Sequence, residues 1–333
     1  MAIAAVARLG GSALQLGLET AIALALGLAV GAIPVVHVAA LPGATLAARY
    51  ALRIGITLLG ARLTVGQLLA TGGASVLAIV VVVASALVLG TVLARRLGLV
   101  PPLSALITVG MAICGNSAIL ALSPIIGARH RETAYAVSTI TIFGLIGVLA
   151  LPILGHLMVM NDAGFGTWAG LAVNDTAQVV ATGYAFSPAA GDIATVVKLT
   201  RNLTILPVLL GATWWAARQV RDEAATGSAT GSAGASPLAM IGRAMPWFVV
   251  GFVVVATLRS LGLLDGTLPS GGTVADLFST VATLCILIAL AGVGLATDLR
   301  AMLGVGARPF LLGAAMWIAI GSLGLAIARV YHG

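Results

Sequence analysis

Apolar positions in this chain neither alternate, as in a half-buried strand, nor recur with the spacing of one helix face; they run on almost unbroken between short polar or glycine-rich connections. Each run is on the order of 20 residues, the length a helix needs to cross a bilayer. The runs predict ten helical units, over 17–38, 45–63, 74–95, 101–128, 131–159, 163–187, 190–217, 238–262, 273–297 and 304–330. The expected fold is an all-α polytopic membrane protein, with residues 1–333 forming a single transmembrane domain. Residues 222–237, DEAATGSATGSAGASP, cannot bury a core and are expected to form a flexible cytoplasmic loop.

Two pairs of segments resemble one another. LLGARLTVGQLL (58–69) and LAGVGLATDLRAM (290–302) each end a helix with small residues and lead through a polar turn. ICGNSAIL (113–120) and AVNDTAQV (172–179) each precede a long helix that carries polar residues. Such pairing suggests the inverted repeats of a carrier. Charge gives a way to orient the units. With Arg218, Arg221 and Arg243 in the cytoplasm, Arg300 and Arg308 also fall inside. Arg129 and Arg131 then lie outside if 101–128 and 163–187 both span, against the positive-inside rule. They lie inside, with Arg95 and Arg96, if those two units are re-entrant hairpins entering from opposite faces. Both arrangements remain open, and ten full spans is the alternative to two broken or re-entrant helices.

Composition narrows the class. Charged residues are 8% of the chain and hydrophobic ones 60%, against about 25% charged in a soluble domain. The net charge of +7 is spread singly between apolar runs, which fits loop charges rather than a nucleic-acid surface. Cys114 and Cys285 both lie in apolar runs with no second cysteine or histidine at ligand spacing, so neither a disulfide framework nor a metal site is expected. The first residues lack a charged start and cleavage site, so no cleaved leader is expected. The expected location is the cell inner membrane, as a multi-pass protein.

Candidate chemistry concentrates between Pro101 and Pro207. Cys114, Gly115, Asn116 and Ser117 interrupt one apolar helix, and Asn174, Asp175, Thr176 and Gln178 interrupt another. Irregular backbone at membrane depth is tolerated only where it lines a cavity or is buried in protein, and half-helix N-termini favour anions. An ionisable Asp175 inside the membrane is costly to keep. Lys198 and Arg201 stand at i and i+3 on one helix face, which Thr195 and Asn202 share. Apolar residues continue beyond them, so they are not end charges. A guanidinium fork and an ammonium suit a carboxylate or tetrahedral oxyanion, and Asp175 neutralises only one of the two. The competing reading is a structural ion pair of Asp175 with Lys198 or Arg201 and no ligand. Thr139 and Thr141 occupy positions comparable to Lys198 and Thr200, where they would either line the same chamber or pack helices. His37, His130, His156 and His332 lie at helix ends or in loops with no partner at useful spacing.

GMAICGNSAILA (110–121), AYAVSTITIFG (134–144), FGTWAGLAVNDTAQVVATGYAFSP (165–188) and GDIATVVKLTRNL (191–203) resemble the YeiH-like (UPF0324) family of sulfate exporters. The likeness extends through RIGITLLGARL (53–63) and LAGVGLATDLRAM (290–302) and so covers nearly the whole chain. It implies a fold in the broad group of cation:proton antiporters and bile-acid-symporter-like carriers, and a sulfur oxyanion such as sulfate or sulfite as substrate. Some members begin with an extra apolar segment that the first 16 residues here are too short to supply.

The expectation is a secondary transporter, an exporter or exchanger of a small anion. No phosphate-binding GxxxxGK[ST] loop, HExxH or GxSxG motif occurs, so neither nucleotide-driven transport nor enzymatic chemistry is expected, and no cofactor. Expected partners are the anion, the bilayer and a coupling proton or sodium ion, with a homodimer by analogy only. A small-anion channel is the alternative, because basic residues ringed by small ones also suit a pore.

Overall fold

The structure is a computed structural model that describes residues 19–205, 207–214, 247–268, 272–296 and 306–332. Residues 222–237, expected to form a flexible loop, and residues 297–305 lie outside the described residues. Thirteen α-helices among the described residues carry the architecture: α1 (Glu19–Gly31), α2 (Pro34–Leu46), α3 (Leu52–Leu59), α4 (Val65–Arg96), α5 (Pro101–Ala112), α6 (Asn116–Leu122), α7 (His130–Leu157), α8 (Asp162–Ala172), α9 (Thr176–Phe186), α10 (Pro188–Asn202), α11 (Trp247–Ser260), α12 (Val274–Ala296) and α13 (Ala307–His332). Among the described residues there are no strands, only one isolated bridge between Thr267 and Thr273. Five helical segments among the described residues are long and apolar enough to cross a membrane: α4, α7, the stretch Pro188–Trp214 begun by α10, α12 and α13. Their outward faces stay apolar, with Val80, Val88, Leu149, Ile153, Leu277 and Ile318 all exposed. In water such a belt would be an aggregation surface; in lipid it is solvated. The protein is an all-α, multi-pass membrane protein.

The largest departures from the expected boundaries lie near the start. The break falls at Ala32–Ile33, not at Leu41-Pro42-Gly43, because Pro34 stands in the first turn of α2, where its missing N–H costs nothing. The chain then stays helical through Pro42. There Thr45 donates from Oγ1 to the carbonyls of Leu41 and Pro42, both at 2.9 Å. A π-helical turn (Ala47–Ala51) leads into α3, and a 3-10 turn (Gly60–Arg62) ends it. Further on, α4 begins at Val65 rather than 74, because Thr64 and Gln67 form a reciprocal capping box.

Residues 101–128 and 163–187 are each broken in the middle and fold back on themselves. Gly110 in α5 sits against Ile119 in α6: a β-carbon on Gly110 would lie 2.9 Å from Ile119 Cγ1. In one continuous helix those positions would be about 13 Å apart. For α8 and α9 the register against α10 settles the direction. Gly166 and Gly170 face Ile193 and Val197 in turn, so α8 runs parallel to α10. Gly183 faces Gly191 and Ala194, while Asn202 donates to Thr176 Oγ1 at 3.3 Å, so α9 runs back antiparallel. The base is closed by Ser187 Oγ donating to Asp162 Oδ1 at 2.5 Å and by Phe165 stacked on Phe186 at 4.0 Å. Helix α7 connects the two hairpin bases, and its 28 residues span about 42 Å. The hairpins therefore enter the bundle from opposite ends, as in the re-entrant alternative.

Two groups of helices pack separately. One holds α1, α2, α3, α11 and α12; the other holds α4 to α10 and α13. Within the first, Gly27 and Gly31 let α1 lie against the α12 backbone, where a β-carbon on Gly27 would fall 2.5 Å from the Ala291 carbonyl oxygen. This is the small-residue packing that membrane helices use in place of a hydrophobic driving force. The seam between the groups is formed mainly by α9 against α1 and α12, and by α11 against α4.

Candidate functional site

The two hairpin tips, 113–115 and 173–175, meet in the middle of the second group. The chain turns at the first tip with Gly115 at φ +63° and ψ −126°, a region that side chains other than hydrogen essentially do not enter. A β-carbon there would also lie 3.2 Å from Asp175 Cα, so the tips touch where only glycine fits. At the second tip Val173 is extended, and Asp175 caps α9 by accepting from the Ala177 amide at 2.9 Å. The same residue stands beside Gly115, where α6 begins.

Lys198 and Arg201 reach the opposite helix ends. Both are fully buried. Lys198 Nζ donates to Ile113 O at 2.8 Å and Val173 O at 3.0 Å. Arg201 donates from Nε to Ala112 O at 3.0 Å, from Nη1 to Leu171 O at 2.5 Å, and from Nη2 to Met111 O and Ala112 O, both at 2.8 Å. The last carbonyls of a helix have no partner within it and carry the negative end of its dipole. In a dry interior each would be expensive to leave bare. Here two cations supply those partners for α5 and α8 together. Among the described residues neither cation forms an ion pair with Asp175: the two pairs found are Arg62–Asp192 and Arg259–Asp265.

The remaining predicted residues gather at the same place with different exposure. Cys114, Gly115, Asn174 and Gln178 are buried; Asn116, Asp175 and Thr176 are half-buried; Ser117 is exposed. Asn174 donates to Met111 Sδ and Gln178 to Thr141 O, while the side-chain oxygens of Asn116, Asn174, Gln178 and Asn202 are buried without a partner among the described residues. Gly144 of α7 leaves the room Gln178 needs, since a β-carbon there would fall 1.7 Å from Gln178 Oε1. Thr139 is buried against Gly313 of α13, and the hydroxyls of Thr139 and Thr141 bond their own helix, to Tyr135 O and Val137 O. Thr139 therefore packs helices. Thr195 likewise bonds Gly191 O within α10.

A second polar cluster lies at the seam between the helix groups, one to two turns in from the end where α10 begins. Arg62 Nε donates to Ser279 Oγ at 2.6 Å and Nη2 to Thr283 Oγ1 at 2.8 Å. Its Nη1 lies 3.3 Å from Tyr184 OH and 3.6 Å from Asp192 Oδ1, and Tyr184 donates to that same carboxylate. Sequence reasoning missed this cluster because Arg62 stands just before a helix cap, where a cation reads as an end charge. Only the fold brings the 3-10 turn Gly60–Arg62 and α12 within side-chain reach of Tyr184 in α9 and Asp192 in α10.

The family described as conserved hypothetical protein 698 matches residues 1–313. The chain belongs to this family. It is 36% identical over 265 residues to a UPF0324 membrane protein of Clostridium tetani, covering 79% of this chain and 74% of the relative. A UPF0324 membrane protein of Streptococcus pyogenes serotype M3 is 33% identical over 292 residues, covering 86% and 81%. One from Bradyrhizobium diazoefficiens is 36% identical over 268 residues, covering 80% and 71%. The family read from the motifs of the UPF0324 proteins is borne out. No solved structure matches the chain.

Proposed function

We propose that this membrane protein is a secondary transporter, an exporter or exchanger of a small inorganic or sulfur-containing anion such as sulfate or sulfite, in the cell inner membrane. The observation that carries the proposal is the charge at the tips. Four half-helix ends meet there, and their partial charges cancel in pairs. Two buried cations then stand against one carboxylate, which leaves one positive charge for an anionic occupant to balance. The half-buried Asn116 and Thr176 and the exposed Ser117 would meet the anion, while Lys198 and Arg201 set the field and hold the tips. Hairpins entering from opposite ends and touching at one point suit alternating access around a fixed site, and they support reading the two halves as inverted repeats. The unpartnered oxygens of Asn116, Asn174 and Gln178 favour a coupling cation, sodium or a proton, beside the anion. Uptake of labelled sulfate and sulfite into proteoliposomes, with pH and sodium gradients imposed separately, tests substrate and coupling together. Saturable flux driven by one gradient is expected. Flux that never saturates would mean a channel, and no flux of either anion would sink the reading.

A further inference from the structure

We propose that Arg62 forms a second oxyanion-binding position, at the seam between the two helix groups, where the carboxylate of Asp192 now stands in for the anion. The inference rests on the anion-carrier reading and adds a site to it. Lys198 and Arg201 point their donors at backbone carbonyls and are closed to solvent. Arg62 differs on both counts. Its side chain and that of Asp192 are each 22% exposed, so the pair is open to its surroundings as the tip cations are not. Two of its nitrogens are fixed by hydroxyls of α12, in its own helix group, which orients the guanidinium plane. The third, Nη1, faces the other group and is weakly engaged there. Its 3.6 Å to Asp192 and 3.3 Å to Tyr184 exceed the 2.7–2.9 Å typical of a charge-assisted hydrogen bond. Asp192 is meanwhile held by Tyr184 rather than by the arginine.

The surroundings fit an oxyanion. Arg62 Nη1 and the Tyr184 hydroxyl, once Asp192 releases it, offer donors side by side with Ser279 Oγ close by, a set suited to a tetrahedral or planar oxygen cluster, while the Thr283 hydroxyl is already committed to Ser279 O. A dianion placed there meets a stronger attraction to Arg62 than a lone carboxylate does, and Asp192 withdraws. Because Arg62 and Asp192 belong to different helix groups, that exchange removes the ion pair crossing the seam and couples anion arrival to freedom of movement between the groups.

The test uses the full chain in detergent, with thermal unfolding followed against increasing sodium sulfate at ionic strength matched by sodium chloride. Sulfate is expected to stabilise the wild type saturably. Asp192→Asn removes the internal competitor and should lower the half-saturating sulfate concentration about threefold to tenfold, while Arg62→Lys, which keeps the charge but loses the fork, should raise it about tenfold. An unchanged half-saturation in either variant overturns the inference while leaving the carrier reading intact. If Arg62→Lys does not fold, Asp192→Asn, which retains the arginine, decides alone. A wild type that sulfate does not stabilise, and that moves neither sulfate nor sulfite in proteoliposomes, overturns both.

Discussion

Arg201 carries more of the tip architecture than any other side chain at the site. It holds the terminal carbonyls of α5 and α8 at once, through Met111, Ala112 and Leu171. Arg201→Ala leaves three carbonyls without donors in a buried setting, where each unpaired group costs about 1–3 kcal/mol. The variant should therefore lose on the order of 3 kcal/mol or more. Arg201→Lys should fall between, since an ammonium cannot reproduce the planar fork. Ser117→Ala, at an exposed position of the same tip, should stay within about 0.5 kcal/mol of wild type. Unfolding midpoints of the three variants in one detergent check the order, and an Arg201→Ala protein as stable as wild type would refute the role. The sequence showed that Lys198 and Arg201 share a face and that two breaks interrupt apolar helices. It could not show what the donors face, because backbone carbonyls leave no mark in side-chain chemistry.

At the scale of the element, the hairpins explain why a span-counting reading was ambiguous. The α5–α6 and α8–α9 segments are long enough to cross a membrane, and hydropathy alone does not distinguish crossing from turning back. The discriminating signal was charge, through Arg129 and Arg131. Packing resolves it: Gly110 lies against Ile119, and Ser187 bonds Asp162. Labelling with a membrane-impermeant thiol reagent tests this arrangement in a protein whose own cysteines are replaced. Cysteines at Leu99 and Ile126, flanking the first hairpin, should react from one side of the membrane. Those at Val159 and Ser187, flanking the second, should react from the other. Opposite-side labelling of Leu99 and Ile126 would mean that 101–122 spans, and the hairpin reading would be lost. The early boundaries near Pro42 were illegible for another reason. A proline inside a helix and a proline in a connection look alike until the surrounding hydrogen bonds are known.

At the scale of the whole molecule, the two ends of the bundle differ in charge. Arg95, Arg96, Arg129 and Arg131 stand at one end, and Arg308 of α13 joins them, its Nη1 3.8 Å from where a β-carbon on Gly98 would stand. At the other end Arg259 is paired with Asp265 and Arg62 with Asp192, while Arg329 donates to Met158 O at 3.1 Å. Basic residues without an acidic partner among the described residues tend to mark the cytoplasmic side, so the first end is expected to face the cytoplasm. Helix α13 starts there and finishes at the second end, where Asn161 bonds the His332 carbonyl at 2.9 Å. A reporter fused after α13 should therefore lie outside the cytoplasm: alkaline phosphatase active, green fluorescent protein dark. Adding lysines to the turn at Val159–Met160 should oppose that orientation, since it places new cations at the outer end. A fluorescent fusion on the unaltered chain would invert the assignment, placing the Arg62–Asp192 seam one to two turns from the cytoplasmic face. An anion leaving the cell would then meet the seam before the tips, rather than after them.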